Sequence, residues 1–221
     1  MCECAGPRLA NALPLASSTC TCCAETAASL NPSRPSPANQ RYSFPPPRLR
    51  NGQLLGRGAQ KTVHAEERNG RMVAVMRSRT RALTLSKEAK LVMRIAEQSP
   101  HPHVMKLIAI EFDVSSRVKM VSPIASFGSM LDLADHLEFE CLEVGAPHKQ
   151  NAFDQALSAV LHLNAIGIDH GDVAARNLLV FRYDPHLPCA TVVQLCDFGD
   201  ATPGTTSVSA LRRLARELSR L

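Results

Sequence analysis

A chain of 221 residues, 45% hydrophobic and 20% charged, can build one good-sized domain or two small ones around a buried core. Its 4% aromatic content, with no tryptophan, argues against base-stacking or sugar-stacking surfaces, and apolar runs such as "NLLVF" are far too short to span a bilayer. A formal net charge of +5 raises nucleic acid or anionic lipid as partners, but Arg68, Arg71, Arg77, Arg79, Arg81, Lys87, Lys90 and Arg94 are interleaved with acidic and apolar residues, the pattern of a solvated surface, so no nucleic-acid partner is expected.

Residues 1 to 46 are rich in Ala, Ser, Pro and Cys, and "NPSRPSPANQRYSFPPP" removes too many backbone donors to hold a helix or central strand; a disordered tail is expected. Cys2, Cys4, Cys20, Cys22 and Cys23 lie in this tail, while Cys141, Cys189 and Cys196 are scattered, which is no disulfide framework. The "CTCC" run lacks paired spacing and nearby histidines, so it reads as a cysteine-bearing tail rather than a zinc site. No continuous apolar stretch of a secretory signal precedes it, and the expected location is the cytoplasm.

Order is expected from Leu49. "NGQLLGRGAQKTVHAEERNGRMVAVM" reads as two β-rich runs joined by "RNG", a hairpin signal. From Leu85, the residues Leu85, Ala89, Val92, Met93 and Ala96 recur at helical spacing until "SPHPH" stops them. "VMKLIAIEFD" and "SRVKMVSPI" read as two further strands. A short helix over about 130–137 follows, then an irregular "EVGAPHK", then a helix over about 151–164 with Phe153, Leu157, Val160 and Leu161 on one face. "IDHGDVAARNLLVF" and "ATVVQLCDFG" read as loop-strand units. "RYDPHLPCA" between them has no assigned role, and "SVSALRRLARELSRL" reads as an amphipathic basic helix.

Three motifs carry chemistry. In "GRGAQKTV" the glycines Gly56 and Gly58 let backbone approach a phosphate. "HGDVAARN" sets Asp172 and Asn177 in one loop, able to present a carboxylate to a hydroxyl and an amide oxygen to a metal. "DFG" adds the carboxylate of Asp197 beside a glycine. In this order, with a helix carrying Glu88 between the first two, the set resembles the eukaryotic protein kinase family over about residues 49–200. "HGDVAARNLLV" resembles its catalytic loop in the tyrosine-kinase style, "CDFG" its metal-binding turn, and "VSPIASFGSMLD" the segment joining its two lobes.

That resemblance implies an α+β, protein-kinase-like two-lobed fold: a five-stranded antiparallel N-lobe with one αC helix over residues 47–125, an incomplete helical C-lobe over 126–206, and the basic helix over 207–221. It implies ATP and Mg²⁺ as cofactors and a protein substrate. Asp172 would orient the substrate hydroxyl, Arg176 would stand near the transferred group, and Asn177 and Asp197 would hold Mg²⁺. Leu55, Gly56, Gly58, Val63, Ala74, Glu88, Ser122, Ile124, Ala125 and Leu179 would form the nucleotide site, with adenine between Val63 and Ala74. Where the family carries its phosphate-binding lysine stands Met76. Lys61, at the third glycine position of a loop similar to that of with-no-lysine kinases, is the expected substitute, paired with Glu88.

Two departures oppose catalysis. Gly171 replaces the arginine of the catalytic loop, and the 22 residues after Gly199 are expected to be too few to support that loop from below. The alternatives are therefore a phosphotransferase acting on Tyr or Ser/Thr hydroxyls, a pseudokinase or binding module, and a membrane-surface or partner contact through residues 207–221.

Overall fold

The computed structural model describes residues 46–58, 61–79, 84–112, 118–140 and 142–221. The expected disordered tail lies, but for Pro46, outside the described residues. The first β-rich run divides into two strands, β1 (Leu54–Arg57) and β2 (Lys61–Arg68), and β2 returns as β3 (Arg71–Ser78). Asn69 and Gly70 both have positive φ, which matches the twist of a two-residue hairpin, and the pairing closes on Arg68 opposite Arg71. With β4 (Ala109–Phe112) and β5 (Val118–Pro123) the strands make one antiparallel sheet in the order β1-β2-β3-β5-β4. The alternation in "VAVM" sends Val73 and Val75 to one face, against Val121, and Ala74 and Met76 to the other.

Helix α1 (Thr84–Gln98) packs beneath the sheet. Its buried side carries Glu88, Ala89, Val92 and Ile95, whereas Met93 and Ala96, expected to face inward, are exposed. The expected stripe is rotated because a charged residue, Glu88, is drawn inside by an ion pair that apolar periodicity does not register.

In the helical half, α2 (Met130–Phe139) starts at a capping box in which Ser129 and Asp132 satisfy each other's backbone amides. Helix α3 (Ala146–Ala165) begins well before the expected Asn151, since a proline at 147 is tolerated in the first turn. Its buried face is lined by Ala152, Ala156, Ala159, Val160 and Leu163; Leu161, expected inside, is exposed. Two short antiparallel pairs complete this half: β6 (Ile168–Asp169) with β9 (Thr202–Pro203), and β7 (Leu178–Arg182) with β8 (Val192–Leu195).

The β7–β8 connection now has a role. His148 Nδ1 lies 2.9 Å from Thr191 Oγ1, Asn151 donates to the carbonyls of Pro188 and Thr191, and Gln155 accepts from the Val193 amide. The loop is thereby fastened to α3.

Helix α4 (Val208–Arg220) starts at Ser207, whose hydroxyl accepts from the Ala210 amide, and it buries Leu214 and Leu218 against the core alongside α3. Glu217 Oε2 accepts from the Ala175 amide at 2.9 Å, so this helix touches the catalytic loop. None of the helices among the described residues is long and apolar enough to cross a membrane.

If α4 is an integral support, Leu214→Ala lowers stability by about 2–4 kcal/mol, read as a fall in the denaturation midpoint. An unchanged midpoint would show the helix to be dispensable.

Candidate active site

Antiparallel register explains how a lysine on β2 serves the place of a residue on β3. Val63 pairs with Met76 and Lys61 with Ser78, so with a period of two Lys61, Val63, Met76 and Ser78 share one face of the sheet. Met76 is 5% exposed and fills apolar space, while Lys61 carries its charge to the same cavity from the neighbouring strand. Its Nζ lies 2.7 and 2.9 Å from the Glu88 carboxylate oxygens and 2.8 Å from Asp197 Oδ1.

Burial alone would push the Lys61 ammonium down, but Glu88 and then Asp197 outweigh it and hold it above its ordinary value. Burial raises the Glu88 carboxyl even against Lys61, although the Phe198 amide also donates to it. Asp197, more open to solvent, resists its own desolvation because Lys61 and the Gly199 amide stabilise its anion, and it stays below the usual carboxylate range. Asp197 has φ 66°, a left-handed conformation that costs a non-glycine residue about 1–2 kcal/mol. Its carboxylate bonds to Lys61 and Gly199 hold it there.

The second group of site residues sits on a 3₁₀ turn over Ala175–Asn177. Arg176 Nη2 donates to both carboxylate oxygens of Asp172, at 2.8 and 2.7 Å. Asn177 Nδ2 donates to the Asp172 backbone carbonyl and to its Oδ2, both at 2.8 Å. From α4, Arg213 Nη2 approaches Asp172 Oδ1 at 3.8 Å. The two groups are joined through backbone: the Cys196 amide donates to the Asn177 carbonyl. His170, fully buried, lies with Nε2 3.0 Å from the Cys196 carbonyl and accepts at Nδ1 from the Asp172 amide. Burial depresses its pKa, so it serves as a neutral brace. The Cys196 thiol is pushed up to about 12 by burial and by Asp197, and stays protonated.

Gly171, the departure from the family's arginine, has φ +79°, and a Cβ there would collide with the Asp200 carbonyl. Backbone following the "DFG" turn occupies the space a side chain would need.

Of these groups Lys61, Glu88, Arg176, Asn177, Cys196 and Asp197 border one cavity of about 730 Å³. Of the expected nucleotide-site residues, Leu55, Gly56, Gly58, Val63, Ala74, Glu88, Ser122, Ala125 and Leu179 line it, with Lys61, Arg176, Asn177 and Asp197. Ile124 does not: Pro123 and Ala125 on either side do, and in extended chain the residue between points the other way. Asp172 lies just behind the wall, bonded to Arg176 and Asn177, which form it. Sequence reasoning missed Met105 and Asp200, which line the cavity without any motif to mark them, Cys196, which opens the quoted "CDFG", and Ser129 and Asp132, whose capping-box spacing was a readable signal.

A sequence model of the family described as protein tyrosine and serine/threonine kinase matches residues 49–210, most of the chain. The chain belongs to the protein kinase family. The kinase fold shown here is α+β, with the five-stranded antiparallel sheet and four helices among the described residues.

The cofactors that the family implies, ATP and Mg²⁺, can be tested against the side chains. Among the described residues no three acidic, His or Cys side chains gather as a self-sufficient metal site. Mg²⁺ bound through one or two protein oxygens plus phosphates needs no such cage. Asn177 spends its amide hydrogens on Asp172, which leaves its oxygen as the ligating atom, and Asp197 offers a carboxylate on the same cavity wall. Among the described residues, an added Cβ at Gly56 would meet nothing within 4 Å, so the backbone there has room for a phosphate. The residues fit Mg-ATP.

Two outcomes follow for the kinase. Lys61→Met strands Glu88 as a buried unpaired carboxylate and costs about 3 kcal/mol at neutral pH. A carboxyl whose folded pKa is raised loses stability as pH rises through that value, so the deficit, measured by urea unfolding, shrinks toward about pH 5. A pH-independent deficit would contradict the ion pair. Separately, Gly171→Arg, which restores the family's usual residue, lowers the melting temperature by several degrees rather than improving the site, because left-handed backbone and the Asp200 clash act together.

Proposed function

We propose that this kinase domain binds Mg-ATP in the cavity between the sheet and the catalytic loop and transfers the γ-phosphoryl group to a protein hydroxyl. The observation that carries the reading is the convergence of Lys61, Glu88, Asp197 and Asn177 on one cavity, with Asp172 bonded to Asn177 just behind its wall. ATP supplies the phosphoryl group when bound, and Mg²⁺ neutralises charge on its phosphates. Everything else falls to the chain. Lys61, kept charged by its two carboxylate partners, is the cation for the phosphates, and preorganised charge of this kind is worth most where water is excluded. Val63, Ala74 and Leu179 offer apolar walls for a flat base. Asp172 is oriented by Arg176 and Asn177 to accept a hydrogen bond from the attacking hydroxyl, and the neutral His170 brace keeps its backbone in register with Asp197.

The alternative of a module that holds nucleotide without transfer drew on Met76, Gly171 and the short segment after Gly199. The first two have structural counterparts that leave the catalytic groups in contact: Lys61 for the first and the Asp200 backbone for the second.

Mg-ATP at about 100 times its Kd should stabilise the native chain by about 2.7 kcal/mol, seen as an upward shift in the thermal midpoint that Lys61→Met abolishes. Asp172→Asn should keep that shift and lower phosphate transfer to a mixed-sequence peptide pool by about 10²–10⁴-fold. A wild-type midpoint indifferent to Mg-ATP would overturn the reading; a shift with no transfer in wild type would favour the binding module.

A further inference from the structure

We propose that the arginine face of α4 beside Asp172 docks an acidic stretch of the protein substrate next to its phosphate-accepting residue; this rests on the phosphotransfer reading above. Helix α4 carries Arg212, Arg213, Arg216 and Arg220 against a single acid, Glu217. Two contacts orient it: Arg213 reaches Asp172, and Glu217, one turn on, reaches the Ala175 amide. The stripe containing residues 213, 216, 217 and 220 therefore borders the catalytic loop.

Glu217 accepts from backbone and, among the described residues, forms no ion pair with its neighbours. Among the described residues Arg212, Arg216 and Arg220 have no carboxylate partner, and all three are exposed, as is Arg176 on the other side of Asp172. A hydroxyl presented to Asp172 would bring the residues flanking it across these guanidinium groups, and forked guanidinium donors match carboxylates. A bilayer surface is the less suitable occupant. An interfacial helix needs an apolar side to insert, and the apolar side of α4, at Leu214 and Leu218, is already buried in the core.

The test uses the full chain and a fluorescent peptide with glutamates flanking an alanine in the acceptor position, so that binding is read by anisotropy without any transfer. The expected result is saturable binding at low salt that weakens at physiological salt, with no comparable binding of a lysine-flanked isomer. Arg212→Ala/Arg216→Ala, which touches no catalytic-loop residue, should weaken binding several-fold, and adding Arg213→Ala should bring the loss to about tenfold. Arg212→Lys/Arg216→Lys should retain most of the affinity, which separates lost charge from lost folding. Equal binding of the two isomers, or affinity indifferent to the alanine substitutions, would overturn the proposal. So would retention on anionic phosphatidylserine vesicles without peptide binding, which would assign the face to lipid. The Mg-ATP thermal shift, read on the same sample, keeps the two readings apart: acidic-peptide binding without the shift removes the phosphotransfer reading, and the shift without peptide binding removes only the docking face.

Discussion

One lysine holding two carboxylates organises the site of this kinase. Lys61 draws Glu88 inward from α1 and Asp197 from the turn after β8, and so ties the sheet, the helix beneath it and the "DFG" turn through three short bonds to one nitrogen. Neither acid would be stable in its place without it, since an unpaired buried carboxylate is costly. The rotation of α1, the left-handed backbone at Asp197 and the inward position of Phe198 all depend on the same cation. The fully apolar packing of Met76 is the other half of this arrangement: a second lysine at that position would have competed for the same two carboxylates.

Much of this was legible in the sequence. The "RNG" hairpin follows from residues that accept positive φ, and the spacing within "HGDVAARN" puts Asp172 and Asn177 in one loop, where they bond. Lys61 could be singled out because its loop is similar to that of with-no-lysine kinases and its strand lies beside the one that bears Met76. What escaped reading was set by long-range packing. The rotation of α1 depended on an ion pair formed across 27 positions of sequence. The early start of α3 depended on recognising Pro147 as a first-turn residue rather than a breaker. The apolar stripe of α4 announced a buried face without saying what would cover it.

Gly171 shows how a departure from a motif can be a steric requirement of the fold. Read in sequence, the missing arginine removes a cation; in the fold, the same position is crossed by the Asp200 backbone, and only glycine fits. The catalytic loop and the segment after the metal-side turn are thereby in direct steric contact, with His170 and the Cys196–Asn177 backbone bond alongside.

The alanine face of α3 has a wider consequence. Small side chains at 152, 156 and 159 let the helix lie close to β8, and β8 runs straight into Cys196 and Asp197. Close-packed interiors transmit displacements rather than absorb them. A methylene added on that helix, far from any phosphate, would be relayed along the strand to the carboxylate that Lys61 grips. The helix thus acts as a gauge block for the site, and variation along its inner face would surface as altered chemistry before it surfaced as unfolding.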